Sequence, residues 1–518
     1  MSVVHCVRRV AAVTARRTFG LDERALSVFR VQLGVLLLYD LASRLLDLRA
    51  FYTDEGVWTR GTAIAYSNPA RWSLHLLNGS AGFQLLLFAI AAVAATCLLV
   101  GYRTRLATVV SWIMLASLHS RNPLVQNGGD TMLLLCLFWS MFLPLGVRGS
   151  IDAVRRPARL RSSPYLSVGS VGLVVQIAAI YIVSALAKTG DAWHGDGTAL
   201  FYALGLREIT TPLAVWLQPH GTIGFVLTRF TYLLELCGPL LLLIPVAMAP
   251  IRATLFLAFA GFHFMTGMTM DLGLFPLIGI VVWAVLLPPS VWERIWPTPP
   301  GAAGSTAPDP SATARTRWHL LSATLARETV AAACLLVIVV VNVSVATGGP
   351  SMPGKLEPVL YATMLRQKWT MFSPQPSSSS RWVVAEVTLS DGRVIDGLTG
   401  AALRETPPEH AGEAFDNFRW RKYLIAVSKR RHRSHRDELL RYIRREVEET
   451  EGRGSVERIT LQLFRDRLLA TGDRSAARAI RLCAWSQADT TEALAADSRA
   501  SLEPPPPLTG TFHRPGRQ

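Results

Sequence analysis

The feature that most restricts how this chain can fold is a series of apolar runs, each near the length of a hydrocarbon core. A helix needs about 20 consecutive apolar residues to cross a bilayer. Residues 81 to 100 (AGFQLLLFAIAAVAATCLLV) and the run from 168 to 188 meet that need. Lipid offers backbone groups no hydrogen-bond partner, so such runs must be helices. The pattern predicts spans at about 29 to 48, 81 to 100, 105 to 119, 131 to 147, 168 to 188, 225 to 246, 252 to 271, 273 to 288 and 328 to 347. Half of the residues are hydrophobic and the mean hydropathy is +0.29. The expected fold is therefore an all-α polytopic membrane bundle of about nine transmembrane helices, with a small C-terminal α+β soluble domain.

Charge gives the expected orientation. The net charge of +16 and pI of about 10.1 come from arginines in short loops beside the apolar runs and in the C-terminal part. That is a positive-inside distribution, and no nucleic-acid partner is expected. With the N-terminus in the cytoplasm, the inner side collects Arg8, Arg9, Arg16, Arg17 and Arg24 of a retained basic leader, residues 1–25, together with Arg103, Arg105, Arg148 and Arg252. The outer side collects few. Nine crossings then place the chain after about residue 350 on the exoplasmic side, and one miscounted span would move it to the cytoplasm.

After residues 26–290, the main membrane region, a Pro/Ala-rich stretch at 291–327 reads as a flexible linker, and 328–347 as the last span. Residues 351–485 are expected to form the α+β domain. Asp391-Gly392 lies between two β-rich runs there as a hairpin turn, a charged helix is expected near 435 to 450, and VERITLQLF is β-like. Residues 486–518, with EPPPPLTG, read as a disordered tail. Cys6, Cys97, Cys136, Cys237, Cys334 and Cys483 have no metal-site spacing and read as small apolar residues.

Polar groups gather at five places within or beside the spans. Asp40, Arg44 and Asp47 interrupt the first span, and charges so placed should face protein or a water-filled cavity. Asn127-Gly128-Gly129-Asp130 makes a turn in which Asp130 could cap the next helix, or Asn127 and Asp130 could point into a shared cavity. In QIAAIYIVSALAKTGDAWHGDGTALFY, from Gln176 to Tyr202, an apolar helix ends at Lys188. Lys188 either snorkels to the membrane surface or acts as a base in a desolvated pocket, and Asp191 is one partner that could pair with it. His263 and Glu235 lie inside apolar runs. A carboxylate at that depth needs a partner, and a lysine or histidine across the bundle is the natural one. No Walker A loop, HExxH, GxSxG in a strand-to-helix context or CxxCH is present, so ATP hydrolysis, zinc proteolysis, serine esterase and cytochrome c chemistry have no support.

Several of these stretches together resemble the HTTM family, the membrane domain shared with vitamin K-dependent gamma-carboxylase. They are FRVQLGVLLLYDLASRLLDLRAFYTDEGVWTR, NPLVQNGGDTMLLLCLFWSMFLPLG, Gln176 through YIVSALAKTGDAW, FHFMTGMTMDLGLFP and RQKWTMFSP. The resemblance covers about residues 20 to 290, with an echo at 366 to 375. It implies a nine-helix membrane fold and a reduced, vitamin K-like quinone as cofactor. It also implies that a lysine five residues before a tryptophan, matched by Lys188 and Trp193, deprotonates the quinol. In the carboxylase oxygen then generates a strong base, and a glutamate side chain loses a proton and captures carbon dioxide. Where the animal enzyme has Asn-Asn-His this chain has Asn127-Gly128-Gly129-Asp130, which lacks the histidine, and its soluble part is much shorter.

The sequence thus supports two functional expectations. The first is a quinol-dependent membrane enzyme acting on a peptide or protein, with Lys188 and His263 catalytic and Asn127, Asp130, Asp191, Trp193 and Glu235 as substrate or cavity residues, and without a metal. The second is a non-catalytic membrane scaffold or maturation partner that binds a peptide or protein through its basic exoplasmic domain. Membrane lipid is a partner under both.

Overall fold

The computed structural model describes residues 3–155, 164–297, 314–349, 354–403 and 407–488. Helix α1 (Val3–Phe19) carries Arg8, Arg9, Arg16 and Arg17 of the leader and is mostly exposed, whereas Arg24 is buried in the next helix. Helix α2 (Glu23–Leu45) opens earlier than the hydropathy predicts, because the Asp22 carboxylate caps it by accepting the Arg24 N–H at 2.8 Å. Helix α3 (Ala81–Val100) packs closely on α2, and a Cβ at Gly34 would lie 2.8 Å from Leu99. A small residue is what lets two membrane helices approach that closely.

The bundle continues with α4 (Thr104–Arg121), α5 (Gly128–Ser140), α6 (Val168–Leu186), α7 (Gly221–Leu241) and α8 (Met248–Thr269). Helices α9 (Phe275–Ala284) and α10 (Pro289–Ile295) follow, and then α11 (Ala314–Ala346). Among the described residues, six helices (α2, α3, α6, α7, α8 and α11) are long and apolar enough to cross a membrane. A seventh is added if α9 and α10, bent by 94° at the Pro288-Pro289 break, form one span. The nine-span expectation exceeds this because two expected segments fall short on length or composition. Helix α5 has 13 residues, about 20 Å at 1.5 Å per residue. Helix α4 ends in His119, Ser120 and Arg121, all turned into protein. Helix α5 is buried on nearly every side and forms the centre of the main hydrophobic core, with Leu133, Leu135, Leu137 and Trp139 inaccessible.

The linker expected at 291–327 is shorter in the structure: α10 occupies its start, and α11 begins at Ala314, before the span expected at 328–347. Residues 298–313 and the tail from 489 onward lie outside the described residues.

The C-terminal domain is α+β, as its sequence predicts. Strands β1 (Ser379–Leu389), β2 (Val394–Asp396), β3 (Val456–Arg467) and β4 (Arg478–Ser486) form one antiparallel sheet in the order β2-β1-β3-β4. Asp391-Gly392 forms the β1–β2 turn with Gly392 at φ +85, a conformation glycine adopts without steric cost. Trp382 stacks on Phe464 across β1 and β3. Helix α12 (Phe418–Val427), which has no counterpart among the expected elements, and α13 (Arg436–Glu451) complete the domain. Helix α12 sits against the bundle at the C-terminal end of α2, whereas α1 lies at the opposite end, where Thr18 and Gly20 carbonyls accept from Arg252.

Candidate functional site

Helix α6 is an apolar rod whose last turn is polar. One turn after Ser184, the Lys188 side chain folds back along the helix and does not reach outward. Its Nζ donates to the Ser184 hydroxyl at 2.7 Å and to Glu235 Oε2 on α7 at 2.5 Å. Both charged side chains are buried, Lys188 at 2% exposure and Glu235 at 5%. Burial of two ions is costly, and close pairing with further hydrogen bonds is what offsets it. Of the two readings of Lys188 drawn from sequence, the snorkelling one does not describe this geometry. Asp191 is not the partner either. It is exposed, opens a four-residue helical turn (Asp191–His194), and lines a separate polar cleft with Asp196 and Arg465. The turn carries Asp191 away because Trp193 is the residue it buries, with the indole ring centroid 5.1 Å from Lys188 Nζ.

The segment RQKWTMFSP, one of the stretches that carry the family resemblance, holds this turn in place. The Phe372 carbonyl accepts from Trp193 Nε1 at 3.0 Å, and the Pro374 carbonyl accepts from Gly190 N at 2.9 Å. Deeper in, Gln176 on α6 donates to Gln367 at 2.7 Å, and Gln367 also accepts from Trp369 Nε1.

Lys188, Glu235, Trp193 and Asn127 line one cavity of about 320 Å³. Its remaining wall is largely apolar, with Phe262, Phe275, Leu272, Met371 and Phe372, and α12 closes it with Arg421 and Lys422. Asn127 is the N-cap of α5, its Oδ1 accepting from Gly129 and Asp130 N–H, while its Nδ2 donates to the Leu272 carbonyl at 2.8 Å. Asp130 completes a capping box by accepting the Asn127 N–H, so Asn127 is the cap and Asp130 the reciprocating third residue. Asp130 does not share the cavity. It turns toward α2.

There it joins a buried ionic cluster. Asp40 accepts from Arg44 at 2.7 Å and from Arg419 of α12 at 2.5 Å, and Asp130 accepts from Arg44 at 2.7 Å. Arg44 Nη2 also lies 3.3 Å from His119 Nε2, and because a guanidinium can only donate, that nitrogen is the acceptor. Asp40, His119 and Asp130 stand close enough together to suggest a metal site. Two guanidiniums already engage their carboxylates, and a divalent cation would have to displace one of them.

His263 lies apart from the cavity lining, although its neighbours Phe262 and Thr266 on α8 belong to it. Its Nε2 is 2.7 Å from the Tyr181 hydroxyl, Nδ1 has no partner, and its ring is enclosed by Tyr181, Phe275 and the backbone of Gly279. The structure therefore brings together Lys188, Glu235, Trp193 and Asn127, and leaves Asp130, Asp191 and His263 elsewhere. Reading the sequence missed Ser184, Arg421 and Lys422. In NFRWRKYL, Asn417 preceding an amphipathic run was the available signal for α12, and Asn417 is indeed its N-cap.

Fold and site together define a polytopic helical membrane protein with a buried lysine–glutamate pair beside an apolar cavity that a soluble domain closes. The chain belongs to the HTTM domain family, whose pattern matches residues 20–292. Neither a curated protein nor a solved structure matches it.

Proposed function

We propose that the Lys188 cavity is the catalytic site of a quinol-dependent membrane enzyme that modifies a peptide or protein, with the Lys188–Glu235 pair as its base. The observation that carries this reading is a buried amine and carboxylate in contact at the wall of an apolar cavity. The cavity volume lies near the lower end of the range for small-molecule pockets, about 300 to 1,000 Å³. An aromatic and aliphatic wall fits a flat, lipid-soluble ring. A bound quinol supplies an acidic hydroxyl and reducing electrons.

The chain's own residues account for the proton step. A lysine paired with a carboxylate is ordinarily the ammonium, which cannot accept a proton. Base action at Lys188 therefore requires the shared proton to reside on Glu235, which frees the amine while the pair stays neutral overall. Taking a proton at Lys188 Nζ then leaves one positive charge on the pair, opposite the negative charge formed in the cavity. The Trp193 ring face and the Ser184 hydroxyl both stabilise the ammonium so produced. Leu272, Phe275 and Phe372 exclude water, which strengthens each of these interactions. This reading assigns His263 a supporting role in packing and puts the cavity, with the C-terminal domain, on the exoplasmic side.

The test is quinol oxidation by purified protein in lipid nanodiscs, alongside extraction and mass spectrometry of any co-purified quinone. Lys188→Ala and the charge-balanced Lys188→Met/Glu235→Leu double variant should insert normally and lose turnover. Wild-type turnover in a folded Lys188→Ala protein refutes the proposal.

A further inference from the structure

A second cavity, about 550 Å³, opens where the membrane bundle meets the C-terminal domain. It is lined from both sides: Arg71 and Arg366 come from segments flanking the bundle, and Lys422, Lys429, Arg431 and His432 from α12 and the turn after it. Among the described residues, no carboxylate pairs with Arg71, Arg366, Lys422, Lys429 or Arg431, whereas Arg421, also in the lining, pairs with Asp271 at 3.0 Å. Arg71 and Arg366 instead share one aromatic ring, each guanidinium carbon 5.5 Å from the centre of Tyr361. Arg71 Nε is buried without a partner. Arg431 donates to His432 Nε2 at 3.0 Å, which leaves the His432 Nδ1, on a ring 1% exposed, also without a partner.

The one carboxylate in the lining, Glu208, is held above the usual range by burial, and its Oε2 accepts from the Arg381 N–H at 3.3 Å. Burial, then the charges of Arg421 and Lys429, hold Lys422 below its ordinary value. Burial and the neighbouring Arg366 act likewise on Arg71. Like charges gathered in a concave, partly desolvated site repel one another, and an anion relieves that cost.

We propose that this cleft is an anion site for a phosphate ester. A phosphate monoester carries about −1.5 to −2 charge and three strong acceptor oxygens. That matches several convergent cationic donors better than a single carboxylate does. The cleft lies at the level of the Pro123–Gln126 turn between α4 and α5, where helices of the bundle end, so its ligand is either a lipid headgroup phosphate or a soluble phosphate ester. Arg421 and Lys422 line both this cleft and the Lys188 cavity, which places the bound phosphate next to that cavity. The site does not depend on Lys188 being a base.

Full-length protein is prepared without phosphate. In detergent it is titrated with glycerol 3-phosphate, and in nanodiscs phosphatidic acid in phosphatidylcholine is compared with phosphatidylcholine alone, with thermal unfolding as readout. Stabilisation by glycerol 3-phosphate identifies a soluble ester, and stabilisation only by phosphatidic acid identifies a headgroup; either supports the site. In both formats Arg366→Gln/Lys429→Gln, whose wild-type side chains are exposed at the rim, should weaken binding at least ten-fold, whereas Arg366→Lys/Lys429→Arg should retain it. No stabilisation by either probe, equal binding by the charge-removed variant, or binding of poly-glutamate that glycerol 3-phosphate and phosphatidic acid cannot compete overturns the proposal.

Discussion

Removing Arg419 should release the C-terminal domain from the bundle. In the intact cluster Asp40 and Asp130 face Arg44 and Arg419, two charges of each sign, all four residues at most 1% exposed. Arg419→Met keeps the aliphatic bulk and leaves a net negative charge where water does not reach. Breaking a buried pair by deleting one partner costs about 3 to 5 kcal/mol. The upper part of that range applies here, because Asp40 keeps only its Arg44 contact and Asp130 loses its more distant one at 3.7 Å. The double variant Arg419→Met/Asp40→Asn restores one carboxylate against one guanidinium, Asp130 against Arg44, and should recover most of the loss. Thermal unfolding in nanodiscs, with limited proteolysis in the 407–488 region, reads both domain release and rescue. A single variant as stable and as protease-resistant as wild type, or a double variant no better than the single, would refute the account of the docking.

Other consequences are testable separately. A Cβ at Gly279 would lie 2.4 Å from the His263 ring, so Gly279→Ala should destabilise by about 1 to 3 kcal/mol in thermal unfolding, the usual cost of overpacking. Burial, then the Arg431 charge, push His432 down to about 4. The unfolded chain therefore binds the extra proton first as pH falls. Stability contributed by neutral His432 should be complete above about 6.5 and decline toward 4. His432→Asn should flatten that part of a melting-temperature profile against pH. Because guanidiniums satisfy Asp40 and Asp130, EDTA should leave the melting temperature unchanged, and a chelator-induced drop would contradict the cluster as described.

Much of the membrane architecture was legible in the sequence because lipid imposes one rule on every span. Each expected span contains a helix, and the errors lie where hydropathy alone cannot separate a crossing from a buried helix, as in the 13 residues of α5. The partner of Lys188 was legible in kind, since Glu235 required a cation across the bundle, but not in identity. Asp191 is nearer in sequence, and a four-residue turn that buries Trp193 carries it outward. Capping was legible at Asn127–Asp130 with the roles of the two residues reversed. Least legible were Arg419, Arg421 and Lys422. Their spacing fits an exposed amphipathic helix equally well, and only the tertiary fold shows that Arg421 and Lys422 meet a membrane-domain cavity and Arg419 the buried Asp40 cluster.

The cluster at Asp40 also bears on the order in which the molecule is made. Synthesis delivers α2 and α5 long before residue 419, so the nascent bundle holds two buried acids against Arg44 alone. The cap of α5, which sets Asn127 in the cavity wall, is tied through Asp130 to that unbalanced group. The site is thus completed last, when nearly the whole chain exists, and a truncated product lacking α12 leaves Asp40 and Asp130 to share one guanidinium.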